Sequence, residues 1–143
     1  MKKPKSIVTH SPEETIALGE KFARGLRPGF YVALCGELGS GKTTFTKGIA
    51  RGLRVTATVL SPTFQLAREY EGRFPLFHLD FYRLGSHGEA EHLDIAGYLD
   101  RGVVVAEWAD RFPEIGSENF IELSFEWLSE NERRIEIIRS SEG

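Results

Sequence analysis

The sequence predicts an α/β fold in three layers: a mixed, mainly parallel central sheet between helices, with antiparallel strands added to it. Three observations carry this expectation. Phe30 to Cys35 (F-Y-V-A-L-C) is an unbroken apolar run of strand length, as a strand covered on both faces requires. Val103 to Ala106 (V-V-V-A) is a second run of the same kind. Between them, a glycine-rich turn at Gly36–Thr43 leads into a segment where Phe45, Ile49 and Leu53 recur at helical spacing.

The other elements follow in order. Ser11-Pro12-Glu13-Glu14 starts a helix, with a serine cap, a proline where the lost N–H is harmless, and acids facing the positive end of the dipole. That helix runs to about Gly25 and turns Leu18, Phe22 and Leu26 to the core, before Pro28-Gly29 reverses the chain. After the glycine loop, Thr43 to about Leu53 is a helix packed on the first strand. Gln65–Glu71 and Phe74–Phe81 flank Gly72 as a hairpin, and Gly85–Gly102 is polar with short helical stretches. Phe120–Trp127 and Arg134–Arg139 alternate and are expected as the antiparallel additions.

A length of 143 residues fits one domain spanning 1–143, long enough to bury an independent core. The single cysteine, Cys35, cannot pair within the chain and lies in an apolar run, so a core role in a reducing cytoplasm is expected. No stretch approaches the ~20 apolar residues of a membrane helix, and the basic start Met1-Lys2-Lys3-Pro4-Lys5 leads into no apolar region, so neither export nor embedding is expected. A net charge of −3 provides no basic field for a phosphate backbone, so any nucleic-acid substrate would be held by other proteins.

The chemistry is concentrated in G-E-L-G-S-G-K-T, which matches the P-loop pattern between its required strand and helix. Gly36, Gly39 and Gly41 permit backbone angles that turn successive N–H groups inward around phosphate oxygens at a helix N-terminus. Lys42 would reach the β- and γ-phosphates, and the Thr43 hydroxyl would ligate Mg²⁺ bridging them. ATP or a close relative is the expected ligand.

A second Mg²⁺-side group, a carboxylate at a strand end, has two candidates in Glu-Trp pairs. Glu107 follows four small apolar residues and so ends a strand buried on both faces, whereas Glu126 alternates with Leu123, Phe125 and Trp127 and is expected to face solvent. In F-H-L-D-F-Y, His78, Asp80 and Tyr82 share one face. Alone this describes a half-exposed strand; beside a P-loop, Asp80 becomes a candidate for orienting water or tuning the metal's surroundings. Ser61-Pro62-Thr63-Phe64 reads equally as a plain loop or as a switch segment following the γ-phosphate.

Together G-E-L-G-S-G-K-T-T-F, S-P-T-F, H-L-D-F-Y-R-L and E-W-A-D-R resemble, in order and over almost the whole chain, the TsaE (YjeE) family. The resemblance implies a small bacterial ATPase required for threonylcarbamoyladenosine at position 37 of tRNAs that read codons starting with A. It implies two partners, TsaB and TsaD, with TsaD performing the transfer and ATP hydrolysis supporting turnover. Residue by residue, it makes Gly36, Glu37, Leu38, Gly39, Ser40, Gly41, Lys42, Thr43 and Thr44 the nucleotide cradle. It also makes Thr43 and Glu107 the magnesium site, Lys42 the group neutralising phosphate charge and Asp80 the residue linked to hydrolysis. Thr15, at the start of the first helix, and Arg133, in the last hairpin, join the nucleotide pocket on the same ground. Glu37 and Ser40 replace the more usual aspartate and alanine, and Asp94 stands where glycine is frequent.

Other readings of the same loop are a small-molecule kinase, although Arg83, Arg101 and Arg111 are too scattered to suggest a lid, and a nucleotide-gated assembly factor with little hydrolysis. A GTPase is disfavoured: the chain has no N-K-x-D, and its D-x-x-G at Asp94–Gly97 falls in a helical-looking stretch.

Overall fold

The structure is a computed structural model describing residues 5–37, 39–59, 67–81, 93–109 and 118–141. In chain order it contains β1 (Ser6–Thr9), α1 (Pro12–Ala23), β2 (Phe30–Gly36), α2 (Lys42–Gly52), β3 (Ala67–Tyr70) and β4 (Leu76–Asp80). These are followed by α3 (Ile95–Arg101), β5 (Val103–Glu107), β6 (Asn119–Trp127) and β7 (Arg133–Ser140). One sheet of seven strands has the order β1-β7-β6-β2-β5-β4-β3. Its centre is parallel, with β6 and β5 on either side of β2 and β4 beyond β5, and its margins are antiparallel. The mixed, mainly parallel α/β architecture expected from the sequence is the one observed.

Local chemistry sets the helix starts. Ser11 adopts an extended backbone and its hydroxyl accepts from the Glu14 N–H at 3.1 Å, capping α1. The Asp94 carboxylate caps α3, accepting from the Gly97 N–H at 3.1 Å, so the D-x-x-G is a helix cap. The two long helices cover one face of the sheet. Phe45 and Ile49 of α2, Leu53 at its C-cap and Ala23 of α1 pack there with Val32, Leu34, Leu76, Val103, Val105, Leu123 and Phe125. The helices cross closely at Gly48, which has no side chain; one placed there would collide with the Ile16 carbonyl. On the other face Tyr31, Ala33, Phe77, Leu79, Val104 and Ala106 pack beneath Ile95, Tyr98 and Leu99 of α3 and its approach. Among the described residues, no helix is long and apolar enough to cross a membrane.

Two expectations are corrected, and one strand is added that the sequence did not single out. The strand β1 does not stand out in the sequence: Ser6–Thr9 is short and mostly exposed, and it is a strand because β7 offers it an antiparallel edge, Ile7 pairing with Ile135. Strand β6 is not an antiparallel addition, since it runs parallel to β2, from Phe30 opposite Asn119 to Gly36 opposite Phe125, and only β7 returns antiparallel. Alternation fixes which residues share a face and carries no information about direction. Strand β4 is buried throughout, because its polar face lies on the side of the sheet covered by α2.

Candidate functional site

Strands β2, β4 and β5 run parallel and end at the same margin of the sheet, the position where open α/β sheets bind ligands. There β2 passes into the glycine loop. Gly36 has φ 145°, and a side chain on it would collide with the Phe125 carbonyl of β6. Gly41, at φ 104°, is the N-cap of α2 and gives no side-chain cap, so the helix opens without a competing oxygen over its first N–H groups. That is the geometry of an anion site.

Lys42 is the first residue of α2 and is 4% exposed. A buried ammonium needs partners, and its Nζ donates to the carbonyls of Gly36 and of Glu37, the latter at 3.3 Å, while lying 3.6 Å from the centre of the Trp108 ring. Thr43 and Thr44 are half-buried in the first turn of α2, Glu37 and Gly39 are exposed, and Ser40 is buried. Leu38 lies outside the described residues, as do the S-P-T-F segment at 61–64, Tyr82, Arg83 and Arg111.

The junction that makes this more than a loop lies between α2 and β5. The Thr43 hydroxyl meets both carboxylate oxygens of Glu107, at 3.1 and 3.0 Å, although 64 residues separate them in the chain. Glu107 is 5% exposed and ends β5 opposite Leu34, on the face covered by α2. A hydroxyl and a carboxylate beside the glycine loop are hard oxygen donors of the kind Mg²⁺ accepts, so these residues fit the metal the sequence led us to expect. From β4, Asp80 pairs with Glu107 in register, and the ring Nε2 of His78, on the same face of β4 as Asp80, hydrogen-bonds Glu107 Oε2. Asp80 is 9% exposed and His78 is fully buried.

Arg133 approaches from β7. Its Nε donates to the Gly39 carbonyl at 3.1 Å, its Nη1 to the carbonyls of Ser129 and Glu132, and its aliphatic stem lies against Gly41. Thr15 is buried, its hydroxyl 2.7 Å from that of Thr9, and Thr9 pairs with Arg133 in register. Thr15 is thus joined to the loop through Thr9 and Arg133. Nearby, Glu132 receives the Ser129 hydroxyl and the His10 ring, which hold its carboxyl below the ordinary 4.5. Glu126, the other candidate carboxylate, is exposed and pairs with Arg134 at 3.1 Å.

Sequence reasoning did not single out Trp108. Its backbone has φ 60°, a region a bulky side chain seldom adopts, and its N–H donates to the Leu34 carbonyl at 2.9 Å, which ties the end of β5 to β2 and sets the ring against Lys42. The available signal was its place directly after the strand-ending acid.

The family model described as threonylcarbamoyl adenosine biosynthesis protein TsaE matches residues 9–135. A tRNA threonylcarbamoyladenosine biosynthesis protein TsaE of Bacillus subtilis is 40% identical over 89% of this chain and 80% of its own length. The protein of the same name from Aquifex aeolicus is 36% identical over 94% of this chain and 96% of its own. Among solved structures, Bacillus subtilis YdiB superposes with a TM-score of 0.80 at 35% identity, covering 96% of this chain and 86% of that one.

Proposed function

The chain belongs to the TsaE family of threonylcarbamoyladenosine biosynthesis proteins, and from that premise we propose that it binds and hydrolyses ATP with Mg²⁺ in support of tRNA modification. The observation that carries the reading is the meeting of Thr43 with Glu107 at the mouth of the glycine loop.

In this reading the N-terminus of α2 and the loop N–H groups hold the β- and γ-phosphates, and Lys42 exchanges its carbonyl and ring contacts for phosphate oxygens. Thr43 and Glu107 would hold Mg²⁺, which would supply positive charge against the negative charge of the phosphates. Asp80, at the end of β4 beside Glu107, accepts a hydrogen bond from the attacking water. The water oxygen bonds to the γ-phosphorus as the β–γ bridging P–O bond breaks, giving ADP and phosphate. Arg133 braces the loop at Gly39, and Thr15 supports it through Thr9.

The proposed cellular role is to supply this ATP cycle to TsaD and TsaB in the cytoplasm, with tRNA reached through those partners, in keeping with the acidic balance of the chain. A GTP-specific role is disfavoured because Asp94 and Gly97 are engaged in capping α3. The test is reconstitution of tRNA modification from purified components with and without this chain, following ATP hydrolysis in parallel. Multiple turnovers of modification are expected only with it, and turnovers that ignore it would refute the role.

A further inference from the structure

His78 has no place in the scheme so far, yet it is a fully buried polar side chain in a position that packing alone would give to an aliphatic residue. Its neighbours on the same face of the sheet are mixed: Leu76 and Asp80 lie two residues to either side, Val105 pairs with it from β5 and Arg68 from β3. Its Nε2 contacts Glu107 Oε2, and a carboxylate only accepts, so that ring nitrogen carries the hydrogen. Its Nδ1 is buried with no hydrogen-bond partner. A histidine placed for packing or for general polarity would not leave one nitrogen unsatisfied while committing the other to the acid that meets Thr43.

We propose that His78 is a positioning residue for nucleotide-linked metal binding: its Nε2–H holds Glu107 from behind, so that the carboxylate faces the Thr43 hydroxyl. The inference rests on the reading of Glu107 as the metal-side carboxylate. Among the described residues the other hydrogen bond to the Glu107 carboxylate comes from the Thr43 hydroxyl, so loss of the His78 contact leaves the direction of the carboxylate less fixed. The Nε2 of His78 carries its hydrogen to Glu107 and has no lone pair for a metal, so His78 acts through Glu107 and not as a ligand.

Calorimetric titration of ATP with Mg²⁺ and with EDTA tests this through the ratio of the two affinities, in His78→Gln, His78→Asn, His78→Leu and Glu107→Gln. Glutamine can place an N–H where Nε2 lies, asparagine only where Nδ1 lies. The ratio is expected to fall by about tenfold or more in the asparagine and leucine variants and to stay within about threefold of the parent in the glutamine variant. Comparison of the two amides, which bury similar polarity, keeps the test decisive if the leucine variant does not fold. A ratio unchanged in asparagine and leucine, or lost equally in glutamine and asparagine, overturns the positioning role while loss in Glu107→Gln leaves the reading of Glu107 standing. A ratio retained in Glu107→Gln overturns that reading and this inference together.

Discussion

The chain contains Glu-Trp twice, and the two copies have opposite fates. Both lie near the ends of strands parallel to β2, one in β5 and one in β6. Glu107 is level with Leu34 and so faces α2, whereas Glu126 follows the parity of Ser124, which pairs with Cys35, and points to the opposite face. The first is 5% exposed, bonded to Thr43 and His78; the second has a side chain 58% exposed and bonded to Arg134. Trp108 lies over Lys42 of the loop, while Trp127 is 52% exposed beside Arg133. The same dipeptide serves a site or a surface according to which face of the sheet its acid takes and whether a helix covers that face.

The sharpest way to break the comparison is at the cation under Trp108. Lys42→Ala is expected to lower single-turnover ATP hydrolysis by about 10²–10³-fold, the loss typical of removing one preorganised charge-stabilising donor. Undiminished hydrolysis would remove Lys42, and with it the first Glu-Trp pair, from the chemistry.

Asp80 sharpens the contrast next, because it stands beside Glu107 in register, whereas Glu126 has Arg134 there. Asp80→Ala is expected to keep ATP affinity while turnover falls by about 10²-fold, as loss of a water-orienting base would give. A titration in which ATP affinity collapses would count against that role.

The direct test sets the two acids side by side. Glu107→Ala is expected to lower Mg²⁺-dependent ATP affinity by about 10–100-fold, and Glu126→Ala to leave it within about twofold because an exposed ion pair contributes little. Equal effects in the two variants would defeat the argument from sheet faces.

The smallest effect lies in the β6–β7 hairpin beyond Trp127. Glu132 is held below its ordinary 4.5 chiefly by the Ser129 hydroxyl and then by His10. A depressed carboxyl contributes stability above its unfolded value and loses it as pH falls through the folded one. Melting temperatures of the parent and Glu132→Gln should therefore differ slightly at neutral pH and converge below about 4.5. A gap that widens on acidification would contradict the assignment.

Much of the fold and the site was legible because the relevant signals are local. A cap such as Ser11, the spacing of Phe45, Ile49 and Leu53, and the run Val103–Ala106 ending in Glu107 each depend on residues only a few positions apart. Asp80 could be nominated but not located, since alternation alone made its strand look half-exposed. The covering of that face by α2 comes from a helix more than twenty residues earlier in the chain.

By itself the sequence determined the glycine loop, the lysine and threonine that open α2, and which of two Glu-Trp pairs would be buried, because chain order and side-chain periodicity decide those features within a single element. Tertiary structure alone decided that β6 runs parallel to β2, that Ser6–Thr9 becomes an edge strand, that Trp108 lies over Lys42, and that His78 is sealed behind Glu107. Those outcomes depend on hydrogen-bond ladders and packed faces between distant segments. Such pairings are selected by the burial available once the whole sheet is assembled, and no short stretch of sequence records that choice.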